Sequence, residues 1–156
     1  MKKINSRKGF TLIEMLIVIA IIGILASIVL VGLGPIQRRG RDARRQADLG
    51  QVRNALELYY YKCGHYPGGS ACTDPVGNPT WDALEQAVRG ASIGISQIPN
   101  DPSEGQSYTY ATNGSGYVLM AVLEDANNPA LNDREAPGNG VTDPGCTEGT
   151  NYCLEL

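Results

Sequence analysis

Apolar and polar positions divide the chain into three stretches of different character. From Phe10 to Ile36 a helix would be apolar or small on every side, with Glu14 the single charge in 27 residues. At about 1.5 Å of rise per residue such a helix is roughly 40 Å long, enough to cross a hydrocarbon core of about 30 Å. Beyond it, Leu49, Val52, Leu56 and Tyr59 recur at i, i+3, i+7 and i+10, with Arg45, Asp48 and Arg53 off that stripe. This spacing predicts that residues 37–63 continue as an amphipathic helix, stopped by Gly64. Between the two halves, Gly32-Leu33-Gly34-Pro35 is the weakest segment, because each glycine costs about 1 kcal/mol and an internal proline about 3 relative to alanine.

After residue 63 the pattern breaks into short elements. Thr80 to Arg89 reads as a helix with Thr80 as N-cap and Asp82 in the first turn. Ser107-Tyr108-Thr109-Tyr110 and Gly116 to Glu124 read as strands joined through the turn pair Asn113-Gly114, and Asn151 to Leu156 reads as an edge strand. The expected fold is α+β: a long N-terminal helix, half apolar and half amphipathic stalk, packed on a small antiparallel sheet head. Its expected segments are 1–9 as a leader, 10–36 as a transmembrane or filament-core helix, 37–63 as stalk and 64–156 as a globular head.

Composition adds scale to this picture. The 156 residues make room for one domain, and much of the 42% hydrophobic content lies near the N-terminus, so the head folds around a small core. Most of the 19 glycines and 9 prolines fall after residue 63, where loops are expected. Cys63, Cys72, Cys146 and Cys153 also lie there, without C-x-x-C spacing, and are read as two disulfides formed outside the cytoplasm. Of the three connectivities, Cys63–Cys72 with Cys146–Cys153 closes short local loops and needs no long-range coincidence.

Charge is distributed in blocks. Residues 1–9 carry four cations and no acid, residues 37–62 hold seven cations against three acids, and residues 63–156 hold two cations against twelve acids. A basic stalk thus carries an acidic head. The apolar run is too long for a secretory signal peptide, whose apolar region spans about 7–15 residues. A plain membrane anchor leaves Glu14 unexplained, since a carboxylate in hydrocarbon costs about 2.5–3.5 kcal/mol on insertion scales and usually has a partner. A place at the membrane interface, four residues after Phe10 and within reach of headgroup water, is the lesser alternative for Glu14.

The order Lys8-Gly9-Phe10-Thr11-Leu12-Ile13-Glu14, followed by Met15 to Ala26, resembles the N-terminal signature of type IV pilins and of type II secretion and competence pseudopilins. Asp42 to Tyr60, the Gly64-His65-Tyr66-Pro67 segment and Ile98-Pro99-Asn100-Asp101-Pro102 also resemble the major pseudopilins. The resemblance implies cleavage by a prepilin peptidase between Gly9 and Phe10, N-methylation of Phe10, and pairing of Glu14 with the Phe10 amine of a neighbouring subunit during assembly. It also implies that the Gly32–Pro35 segment loses helical order in the filament, where a static kink is the plainer alternative. The implied partners are further copies of the chain, the peptidase, the pilus platform protein and assembly machinery, and the membrane. No nucleic-acid partner is expected.

The implied location is the cytoplasmic membrane, single pass with the N-terminus inside, and then a surface or periplasmic filament. The positive-inside rule does not decide this, because Arg38, Arg39, Arg41, Arg44 and Arg45 follow the apolar run directly. The resemblance and the cysteines put residues 37–156 outside. The arginine cluster is then a filament feature that pairs with acidic heads of neighbouring subunits, or else an ordinary solvated helix face.

Catalytic chemistry finds little to use. His65 stands alone in a turn, and no nucleophile elbow, phosphate loop or metal-ligand histidine pair is present. Asn113-Gly114-Ser115 matches a glycosylation acceptor but is better explained as a turn. Tyr59, Tyr60 and Tyr61 point in different directions on a helix and are read as core and interface packing. No cofactor is expected. Glu124, Asp125, Asp133 and Asp143 are candidate calcium ligands, and major pseudopilins bind calcium in a comparable loop, but EF-hand spacing is absent and a solvated acidic loop is the commoner explanation.

The expected function is a structural subunit, not an enzyme, of a type IV pilus-like filament. A type II secretion pseudopilin forming a periplasmic piston is the alternative within the family. A membrane-tethered binding domain that never polymerises is the alternative outside it, and needs neither Glu14 nor the Gly9-Phe10 junction.

Overall fold

The computed structural model describes residues 9–68, 72, 79–132, 137–138 and 140–156, with the backbone alone at 29–32. Helix α1 runs Leu12–Cys63 and helix α2 runs Trp81–Gly90; strands β1 (Thr109–Thr112), β2 (Tyr117–Val122) and β3 (Asn151–Glu155) follow, with a 3-10 turn at Pro129–Leu131 before β3. This is the α+β arrangement expected from the sequence. The backbone divides into two compact units, one reaching Gln37 and the other Arg38–Leu156.

In the first unit every described side chain from Gly9 to Ile28 is exposed. A helix apolar all round needs lipid or other protein around it. By length and composition, the parts of α1 on either side of 29–32 meet the demands of a membrane span together, and neither does so alone. Pro35 lies inside the helix, so the Gly32–Pro35 segment is helical here. Its missing N–H costs one backbone bond.

In the second unit the stalk stripe is the centre of the core. Leu49, Val52, Leu56 and Tyr59 are fully buried against Leu84 and Val88 of α2 and Tyr110, Tyr117, Leu119 and Ala121 of the sheet. At the helix end, Gly64 takes a φ of +78° and donates to the Tyr60 carbonyl at 2.8 Å, a left-handed stop that favours glycine. Thr80 caps α2 by accepting from the Ala83 N–H at 3.3 Å, and Trp81, Leu84, Ala87 and Val88 form its buried face.

The sheet order is β1-β2-β3, antiparallel throughout, with Tyr110 opposite Leu119 and Leu119 opposite Leu154. Alternation along the strands turns Tyr117, Leu119 and Ala121 to the stalk and Ala111 and Val118 to a second small cluster with Val141 and Cys146. The strand limits differ from the sequence reading, by a single residue in β3, which ends at Glu155, and by more in β1 and β2. β1 is shifted to Thr109–Thr112, because its ladder to β2 is extended toward the turn, while the Tyr108 hydroxyl donates to Asp48 at 2.8 Å. β2 ends at Val122 and not Glu124, because the N–H of Glu124 is drawn to a carboxylate on the stalk. The connection also has four residues, Asn113 to Gly116, with the Asn113 side chain accepting from the N–H of Ser115 and Gly116.

Candidate functional site

The first locus is the start of α1. Thr11 precedes the helix, and the Glu14 N–H donates to its Oγ1 at 3.3 Å. In return the Thr11 N–H and hydroxyl both donate to Glu14 Oε2 at 2.7 Å. This is a capping box, which satisfies two orphan donors of the first helical turn reciprocally. The Thr11-x-x-Glu14 spacing is itself a sequence signal for this box, beside the charge of Glu14 that points to a partner on another subunit or to the membrane interface. Phe10 beside it is exposed. At Gly9 an added Cβ meets nothing within 4 Å, so the chain's own fold sets no demand for a small residue there.

The second locus joins stalk and head. Arg45 is only 1% exposed. Its guanidinium donates to Asp101 through two bonds of 2.7 and 3.0 Å, to Asp42 at 2.9 Å, to Glu124 at 3.0 Å and to the Ser103 hydroxyl at 2.9 Å. Arg41 grips Glu124 in a bidentate pair of 2.7 and 2.5 Å. Asp42 accepts the N–H groups of Glu124 and Asp125 at 2.8 and 2.9 Å. The arrangement holds the Asp101 loop and the segment after β2 on one face of the stalk. Its electrostatics follow from the contacts. Arg41, and after it Arg45, hold the Glu124 carboxyl down to about 2. The Asp101 pair raises Arg45, ahead of smaller contributions from Glu124 and Asp42, and burial ahead of Asp48 raises the Tyr108 phenol.

Both readings of the arginine cluster are corrected here for Arg41 and Arg45. Neither is a solvated face, and their acidic partners lie in the same chain, not in a neighbour. Arg39, itself exposed, also meets Asp125 at 3.2 Å, and exposed Arg44 meets the buried Asp48 at 3.6 Å. The sequence signal was the opposite sign of stalk and head, but charge totals do not say which residues meet. Asp101 carries no sequence signal of its own beyond its place in the Ile98–Pro102 segment.

The candidate calcium ligands are dispersed. Glu124 and Asp125 face arginines, Asp143 accepts from the N–H of Gly145 and Cys146 at 2.8 and 2.7 Å, and Asp133 lies outside the described residues. Among the described residues no group of three or more His, Cys, Asp or Glu side chains is arranged to hold a metal. Cys63 is joined to Cys72 and Cys146 to Cys153. His65 contacts the carbonyls of Tyr66 and Cys72 at 3.0 and 3.3 Å, bracing that disulfide loop. Of the tyrosine run, Tyr59 is in the core, Tyr60 packs on Tyr66 with ring centroids 4.8 Å apart, and Tyr61 is 92% exposed.

Comparison with known proteins points the same way. Residues 4–30 match the family model of the prokaryotic N-terminal methylation motif. The type II secretion system core protein G of Escherichia coli (strain K12) is 36% identical over 128 residues, 80% of this chain and 87% of that protein. A probable minor fimbrial protein of Dichelobacter nodosus is 34% identical over 127 residues, 77% of each chain. The type IV major fimbrial protein FimA of Dichelobacter nodosus is 47% identical over 51 residues, 33% of each chain. No solved structure matches significantly. With a methylation motif leading into an exposed apolar helix, and with similarity to core protein G carried through most of the head, the chain belongs to the type IV pilin and type II secretion pseudopilin family.

Proposed function

We propose that the chain is a structural subunit of a type IV pilus-like filament, cut between Gly9 and Phe10 by a prepilin peptidase, N-methylated at Phe10 and polymerised through α1. The observation that carries this reading is a helix exposed and apolar from its first turn, interrupted only by Glu14. Before assembly such a surface belongs in the membrane, with residues 37–156 outside, and after assembly among the helices of other copies. The platform protein and assembly machinery would mediate the transfer.

Glu14 is the residue on which the stagger between subunits would turn. Its carboxylate is already oriented by two bonds from Thr11, so a neighbour's Phe10 ammonium would meet a fixed acceptor. Glu14→Gln keeps the capping box, which glutamine also makes, and removes only the charge. Breaking a buried ion pair costs about 3–5 kcal/mol per interface. The variant should insert, be cleaved and keep a folded head, yet give few or no filaments by electron microscopy. Normal filaments would remove the Glu14 mechanism. Mass spectrometry should find the mature chain beginning at Phe10, and Gly9→Leu should block the cut.

A second reading is a type II secretion pseudopilin. The match to core protein G through most of both chains favours it, although the fimbrial match through 77% of both chains does not separate the two. Deletion of the gene with assays of secretion and of twitching or DNA uptake distinguishes them.

A further inference from the structure

Five arginines lie within eight residues of one another after the apolar run, and the tertiary structure treats them unequally. Arg41 and Arg45 are committed to the clasp with Asp42, Asp101 and Glu124. Arg44 is 62% exposed and answers Asp48 one turn on. Arg39 is 74% exposed and meets Asp125 at 3.2 Å. Arg38 is exposed and, among the described residues, has no ion-pair or hydrogen-bond partner. The two cations nearest the apolar helix are therefore Arg38, without a partner among the described residues, and Arg39, the most exposed of the paired arginines, held by one surface ion pair. Exposed Ile36 precedes Arg38 by two residues, about 3 Å of helix rise.

We infer that Arg38 and Arg39 bind the phosphates of anionic lipid headgroups at the outer face of the membrane, holding the subunit at a fixed depth before it assembles. This rests on the proposed placement of residues 10–36 in the bilayer. A guanidinium presents a planar fork that fits phosphate oxygens bidentately, and its long stem lets the head reach an interface while the backbone stays in the helix. Adjacency to Ile36 favours lipid over the acidic head of a second copy. The exchange of lipid phosphate for protein contacts would then be a step in leaving the membrane.

The test uses the full chain reconstituted in phosphatidylcholine bilayers, with electron spin resonance of spin-labelled phosphatidylglycerol and phosphatidylcholine reporting relative association. The wild type should prefer phosphatidylglycerol, and the preference should fall with salt. In Arg38→Gln/Arg39→Gln the preference should drop by up to about fivefold per arginine, the equivalent of about 1 kcal/mol for a cation near an anionic surface. The four leader cations are common to both chains, so the difference belongs to residues 38 and 39. Arg44→Gln should leave the preference unchanged. Unchanged head melting in the double variant excludes a folding effect.

An unaltered preference in the double variant, in a chain that still floats with the vesicles, overturns this inference alone. A chain that does not float overturns the membrane reading with it. Displacement by inorganic phosphate at the lipid's own concentration would assign the pair to a free anion, and lost filaments with unaltered lipid preference would assign it to a neighbouring subunit; both overturn the lipid assignment.

Discussion

Replacing Arg45 with methionine tests whether the buried clasp holds the head to its stalk. The substitution keeps most of the stem's volume and removes the cation. Its partners are not equally affected. Asp42 retains the N–H groups of Glu124 and Asp125, and Glu124 retains the bidentate Arg41. Asp101, only 3% exposed, loses both guanidinium bonds and is left with the Ser103 N–H at 2.8 Å. One carboxylate is thus stranded in a buried place, at a cost of about 3–5 kcal/mol. For a folding unit of this size each kcal/mol moves the melting midpoint by about 3–4 °C, so the midpoint should fall by about 10–20 °C. Trp81 is a suitable reporter, because its indole N–H donates to the Pro99 carbonyl at 3.1 Å, two residues before Asp101. Thermal melts of the full chain in detergent followed by Trp81 fluorescence give the number. Arg45→Met/Asp101→Asn should recover most of the loss, since the amide carries no charge to strand. A single variant melting within a few degrees of wild type would refute the reasoning.

Two further outcomes follow from the same geometry. The folded Glu124 carboxyl sits at about 2 against an ordinary 4.5, so its contribution to stability is complete above about 4.5 and is lost as pH falls toward about 2. Arg41→Gln should lower the urea midpoint at neutral pH and reduce the further loss on acidification; an unaltered acid dependence would show that Arg41 does not set the Glu124 ionisation. Non-reducing peptide mapping should recover Cys63 joined to Cys72 and Cys146 joined to Cys153, and a peptide joining Cys63 to Cys146 or Cys153 would contradict the structure.

What could be read from the sequence was what depends on near neighbours. The apolar run declares itself because no turn of a helix between Met15 and Ile36 carries a charge. The stripe of Leu49, Val52, Leu56 and Tyr59 follows from helical periodicity, and the cap at Thr80 from side-chain chemistry three residues ahead of the N–H it satisfies. The Thr11–Glu14 box is equally local, although a lone carboxylate in an apolar run also points to a distant partner. Strand limits were less legible, since β1 and β2 extend as far as their mutual ladder and the pull of Asp42 on the next N–H allow. The clasp could not be read at all. Its bonds join Arg45 to Asp101 and Arg41 to Glu124 across 56 and 83 residues, and an arginine on a helix has the same letter whether it faces water or a buried carboxylate. Only the tertiary path of the Asp101 and Glu124 segments, brought back over the stalk by the packing of α2 and the sheet, decided which of the five arginines are enclosed by their own chain and which remain exposed.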